Sequence, residues 1–185
     1  MPLQVISDME KRMTKALEDL DADFGTLRTG RATPALLDKV MIEYYGSFTP
    51  LKGLATISVP DARSLLVTPF DKSSTGTIAN AIAKSDLGVG AVTDGNAVRV
   101  SVPTLTTERR KEMVKMAGKK AEAHKIAVRN IRRDANDALK KMEKEGDLSK
   151  DELARHEADV QKITDRYIAD VEKSRVAKEA DILAV

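Results

Sequence analysis

Apolar side chains recur along this chain at two spacings, and the spacing changes twice. From Thr107 to Gly146 the chain has no proline and one internal glycine, Gly118. Met113, Ala117, Ala121, His124, Val128, Ile131, Ala135, Leu139 and Met142 step by three or four through it, which predicts one long helix with a single apolar stripe. At about 1.5 Å per residue that helix is roughly 60 Å long. Val5, Ile6, Met9, Met13, Leu17, Leu20, Phe24 and Leu27 make a second stripe, ending near Arg28. Ser7 and Glu10 have capping-box spacing, but the stripe continues upstream, so this helix starts at Ser7 or nearer Leu3. A third begins after Ser149 and Glu152, again at capping-box spacing, and runs from Leu153 to near Leu183. None of the three can bury its stripe alone. Residues 1–29 and 106–185 are therefore expected to pack as a three-helix bundle, with the Gly146-Asp147 turn making the last two helices antiparallel neighbours.

Between 30 and 105 the period drops to two. Val40, Ile42 and Tyr44 alternate up to Gly46; Ala55, Ile57 and Val59 alternate before Pro60; Leu65 to Thr68 is a short apolar run; and Val98, Val100 and Val102 alternate before Pro103. Ile78, Ala81 and Ile82 fall on one side of a short helix over Thr77 to Lys84, and Asp94-Gly95 marks a turn. This predicts a small mixed α/β module inserted between helices. It is entered through Gly30 and Pro34, residues that break a helical pattern, and left through Pro103 to Thr107, where Thr106 or Thr107 is placed to cap the long helix. Two such crossings act as a hinge rather than a tether.

Charge sharpens this picture. The 185 residues carry a net +2, but residues 106–133 hold ten Lys or Arg against three acids. On a helical wheel Lys111, Lys115, Lys125, Arg132, Arg133 and Lys140 lie within about 60° of Arg129, and between Lys111 and Lys140 that sector contains one acid, Glu122. The apolar stripe centres roughly 125° away, so Arg133 points outward, Arg129 is exposed and Arg132 flanks the packed seam. A line of cations with few acids at i,i+4 suits a polyanion backbone, and arginine is preferred where geometry is bidentate. The bland alternative is a solvated helix face.

Catalytic signals are weak. The chain has no cysteine, which excludes disulfides and thiolate chemistry and fits a reducing compartment. His124 and His156 fall on apolar stripes, where core packing is the plainer reading; a metal pair would lack a third ligand. Gly88 and Gly90 follow a helix instead of a strand, so no phosphate-cradling loop is expected. No segment approaches the roughly 18 apolar residues of a membrane span and no signal peptide opens the chain. Aromatic residues make up 3% and none interrupts the basic ridge, so base stacking on rings is not expected. An RNA-binding factor, a helical adaptor and an enzyme stand as alternatives. Salt dependence separates the first two, and the third needs a pocket in the middle module.

Five separated motifs narrow the choice. Arg28-Thr29-Gly30-Arg31-Ala32-Thr33-Pro34, Glu43-Tyr44-Tyr45-Gly46 with Thr49-Pro50-Leu51, Ser85-Asp86-Leu87-Gly88, Leu105-Thr106-Thr107-Glu108-Arg109-Arg110, and Val128-Arg129-Asn130-Ile131-Arg132-Arg133-Asp134-Ala135-Asn136 together resemble the bacterial ribosome recycling factors, in order and over the whole chain. The resemblance implies an L-shaped α+β protein: a long three-helix bundle with an inserted small three-layer β/α/β sandwich. It implies a cytoplasmic, monomeric, non-enzymatic factor without cofactor, metal or membrane. Its expected partners are the rRNA of the 70S ribosome's large subunit and elongation factor G with GTP, which together split the subunits and release mRNA and deacylated tRNA. The family's rRNA-contacting arginines map onto Arg28, Arg31, Arg129, Arg132 and Arg133, to which the ridge adds Lys125. The hinge maps onto Thr29, Gly30, Thr33, Pro34, Pro103, Thr104 and Thr106.

Overall fold

Helix α1 spans Pro2–Gly25, and its start on a proline agrees with the preference of that ring for the first helical turn. It therefore begins upstream of Ser7, and the Ser7–Glu10 pair lies inside it rather than capping it. The computed structural model describes residues 2–184 of the chain. The element order is α1, then strands β1 (Met41–Tyr44), β2 (Ser47–Pro50), β3 (Ala55–Asp61) and β4 (Ser64–Pro69), helix α2 (Thr75–Lys84), strands β5 (Gly90–Asp94) and β6 (Ala97–Ser101), and helices α3 (Thr107–Lys144) and α4 (Lys150–Leu183). This is the α+β class that the two periodicities predict. By packing, the described chain divides into two compact units: residues up to Phe24 with 115–180, and residues 25–114 with those from Asp181 onward. The division passes through α3 between Val114 and Lys115.

The first unit is built on three helical stripes. Met9 and Met13 of α1, Val128, Ile131, Ala135 and Leu139 of α3, Leu148 of the connecting turn and Val160 of α4 form one buried cluster. The cost of ordering these helices is met by that burial, at about 25 cal/mol per Å² of apolar surface removed from water. Interhelical polar bonds sit at its edges: Arg12 to Asp134 at 2.7 Å, Arg166 to Glu10 at 2.8 Å, and the Thr14 and Tyr167 hydroxyls at 2.7 Å. Exposed pairs of this kind contribute at most about 1 kcal/mol each, so they set register more than stability. Two caps anticipated from spacing are made. The Arg109 N–H donates to Thr106 Oγ1 at the start of α3, and before α4 the Ser149 N–H donates to Glu152 Oε2 at 2.8 Å while the Glu152 N–H donates to Ser149 Oγ at 3.2 Å.

The second unit contains two antiparallel sheets. Strands β1 and β2 form a hairpin whose two-residue turn, Tyr45-Gly46, has positive φ at both positions, the geometry that follows strand twist. The other sheet has the order β3-β4-β6-β5. Helix α2 packs on β1 of the first sheet and on β5 and β6 of the second, giving three layers. Ile78 and Ile82 of α2 are fully buried with Ile42, Leu65, Val67, Val98 and Val100. Strands β2 and β5 are absent from the period-two reading because their side chains are mostly exposed; β2 has a solvent-facing Phe48 and β5 a solvent-facing Val92. They are held by backbone pairing, which side-chain pattern does not report.

Candidate nucleic-acid interface

Helix α3 presents the cations of the expected interface at fixed spacing, because its apolar stripe is buried along its length. Arg133 is exposed and makes no ion pair or side-chain hydrogen bond among the described residues. Arg129 is partly exposed and reaches Glu122 at 3.2 Å, an open pair that a phosphate can displace. Arg132 lies half-buried at the seam, where Nη1 donates to Gln161 Oε1 of α4 at 3.4 Å, a long bond that leaves most of its donors unused. Lys115 is exposed as well. Lys140 is drawn toward Glu157 at 3.7 Å. The three arginines thus keep their charges available on one sector of one helix.

Two residues expected at that interface are engaged by partners within the chain. Arg28 is 8% exposed, and its guanidinium is spent on the backbone: Nη2 donates to the Pro103 carbonyl at 2.8 Å and Nη1 to the Gly88 carbonyl at 3.1 Å. Burial, and secondarily the charge of Arg109, lowers its pKa from the ordinary arginine value. Arg28 is therefore a clamp between the two connections of this unit and not a free cation. Its seat demands a glycine opposite. Gly88 has φ +64°, and a Cβ there would lie 2.8 Å from Arg28 Nη1. Gly88→Ala is expected to cost about 2–3 kcal/mol, from left-handed backbone strain and a displaced charged hydrogen bond. A denaturant midpoint unchanged from the parent would contradict the clamp.

Lys125 is the second residue already engaged within the chain. Its ammonium donates to Glu172 Oε2 of α4 at 2.6 Å, and its side chain is only 18% exposed. Glu172 also accepts from Arg175, which in turn holds Glu179. Arg175 and Lys125 together hold the Glu172 carboxyl down to about 2. A depressed carboxylate contributes stability at pH values above its unfolded pKa of about 4.3, and this is lost as pH falls toward the folded value. Glu172→Gln is expected to flatten the acid limb of the stability profile between pH 4.5 and about 2. Denaturant melts at pH 5 and pH 2.5 read this directly; an equally steep limb in the variant would show that the network does not carry it.

The connecting segments hold the remaining expected residues. Gly30 has φ +80°, Thr33 precedes a short 3-10 turn over Pro34–Leu37, and Thr106 caps α3. Arg31 is exposed with no partner among the described residues. The Ala32 N–H donates to the Ala62 carbonyl and the Val102 N–H to the Arg63 carbonyl, both at 2.8 Å, so the β3–β4 turn braces both connections. Thr29, Gly30, Arg31, Arg63, Thr104 and Arg110 share the lining of a cavity of about 230 Å³. Sequence spacing does not bring Arg63 to Arg31 and Arg110. They meet only through that turn. His124 bonds Asp23 at 3.1 Å and is mostly buried, in keeping with a packed histidine.

Comparison with known proteins agrees with this layout. A family model described as Ribosome recycling factor matches residues 20–183. The ribosome-recycling factor of Halalkalibacterium halodurans is 53% identical and that of Bacillus subtilis 49%, each over the full length of both chains. A solution structure of a ribosome recycling factor covers all of this chain and 98% of its own, at 38% identity and a TM-score of 0.75. A second, the Thermus thermophilus ribosome recycling factor, described with Escherichia coli elongation factor G bound to the Escherichia coli post-termination complex, aligns over both full chains at 43% identity and a TM-score of 0.68. Long helices carrying a small sheet domain, at this likeness, define a non-catalytic translation factor. The chain belongs to the ribosome recycling factor family.

Proposed function

We propose that this protein binds the large subunit of the post-termination ribosome through the cations of α3 and, with elongation factor G and GTP, splits the subunits and frees mRNA and deacylated tRNA. The observation that carries the rRNA contact is the grouping of Arg129, Arg132 and Arg133 on one sector of α3, where, among the described residues, Glu122 is the only acid that pairs with any of the three. Phosphates neutralised by such a row release counterions, so affinity falls by roughly 0.9 log units per contact for each log of salt on duplex-like backbones. The description of the Thermus thermophilus relative on a post-termination complex supports the same partners. In this reading the helical unit is the rRNA-binding part, and the sheet unit moves on segments 29–34 and 103–107 when elongation factor G acts. Arg31 contributes from the first of those segments.

The test is a sucrose gradient of post-termination complexes incubated with this protein, elongation factor G and GTP. Conversion to free subunits that requires all three components is the expected result; conversion without this protein, or none with it, overturns the proposal. Arg132→Ala is expected to weaken large-subunit binding about fivefold with unchanged helicity by circular dichroism. An unaltered dissociation constant would remove Arg132 from the interface.

A further inference from the structure

We propose that the cavity shared by the two connecting segments and the β3–β4 turn is a binding site for a phosphate group, with Arg31, Arg63 and Arg110 as its ligands. Three arginines from separate parts of the chain line it: Arg31 after Gly30, Arg63 in the turn between β3 and β4, and Arg110 in the first turn of α3. None of the three guanidinium groups makes a hydrogen bond or ion pair with the described residues. Unopposed cations repel one another, so a folded protein that gathers them around one space is set to receive an anion.

The site is built rather than incidental. Backbone bonds from Ala32 to Ala62 and from Val102 to Arg63, each 2.8 Å, hold its walls together. The Arg28 clamp to Pro103 and Gly88 fixes the two connections beside it. Thr29 and Thr104 add hydroxyl groups, and Leu105 supplies an apolar wall. About 230 Å³ is room for seven or so waters at roughly 30 Å³ each. That accommodates a phosphate with part of a ribose but not a whole folded ligand. Guanidinium forks match phosphate oxygens bidentately, and threonine hydroxyls donate to the remaining oxygen. Because residues of both connections line the cavity, a bound phosphate ties the two segments to each other. The site is distinct from the α3 row and is independent of whether that row contacts rRNA.

The experiment titrates sodium pyrophosphate into the ¹⁵N-labelled full chain at constant ionic strength, following backbone amides. Saturable shifts of Gly30, Arg31, Arg63 and Leu105 are expected, with little change at Arg129 to Arg133. R63Q and R110Q each weaken the binding about tenfold, and the double variant abolishes it while its spectrum stays dispersed. Shifts as large at Arg129 to Arg133 as around the cavity, or binding indifferent to R63Q and R110Q, would overturn the proposal. A short RNA oligonucleotide added to the saturated protein identifies the source of the phosphate. Displacement of pyrophosphate assigns it to an RNA backbone, and persistence of the pyrophosphate shifts assigns it to a free phosphate compound.

Discussion

Changing Arg129, Arg132 and Arg133 together to alanine is expected to lower affinity for the large ribosomal subunit roughly a hundredfold, at about 1 kcal/mol for each exposed contact. The slope of log affinity against log salt should become shallower by about three, one for each phosphate contact removed. Stability should change little, because Arg133 is exposed, Arg129 is partly exposed, Arg132 is held at the seam by one long hydrogen bond, and the partners Glu122 and Gln161 are themselves exposed. The slope is the stronger readout. A loss of affinity with an unchanged slope would mean that the helix was disturbed rather than its charges removed, and an unchanged affinity would move the rRNA contact off this sector altogether.

Arg28→Ala should show the opposite profile. The variant removes two charged hydrogen bonds to the Pro103 and Gly88 carbonyls and leaves a hole where a long side chain was buried. Hydrogen bonds to charged groups contribute about 1.5–3 kcal/mol each, and water entering the vacated space recovers part of that. A loss of about 3 kcal/mol is therefore expected for the sheet unit. Arg28→Lys should recover only part, since an ammonium cannot hold two carbonyls in the fork geometry of a guanidinium. Hydrogen exchange at the amides of Val89 and Val102, compared with those of the α1 and α3 core, localises the effect. If Arg28→Ala kept full protection yet bound ribosomes poorly, Arg28 would return to the list of rRNA contacts.

The contrast between Arg28 and Arg133 shows the limit of reading charge from a sequence. Both are arginines inside motifs shared with the family, and both were expected to face RNA. Arg133 has a helical position, and a helix has a wheel: its angle from the buried stripe specifies its exposure. Arg28 lies three residues past the end of α1, where no period applies and the path of the loop decides what the side chain meets. Lys125 marks a different gap. Its wheel angle placed it correctly on the cationic sector, but only the neighbour α4 could reveal that Glu172 waits there.

What the amino-acid order determined by itself was the local and repeating part: three helical stripes, the alternating strands that bury one face, the cap at Ser149, a cap at Thr106 or Thr107, and the bearing of each cation around α3. Local spacing controls these because helix and strand geometry repeat along the chain. Tertiary structure alone decided the non-periodic part: the edge strands β2 and β5, the burial of Arg28, the pairing of Lys125, and the meeting of Arg31, Arg63 and Arg110. Those arrangements depend on backbone bonds and neighbours distant in sequence, which no residue spacing encodes.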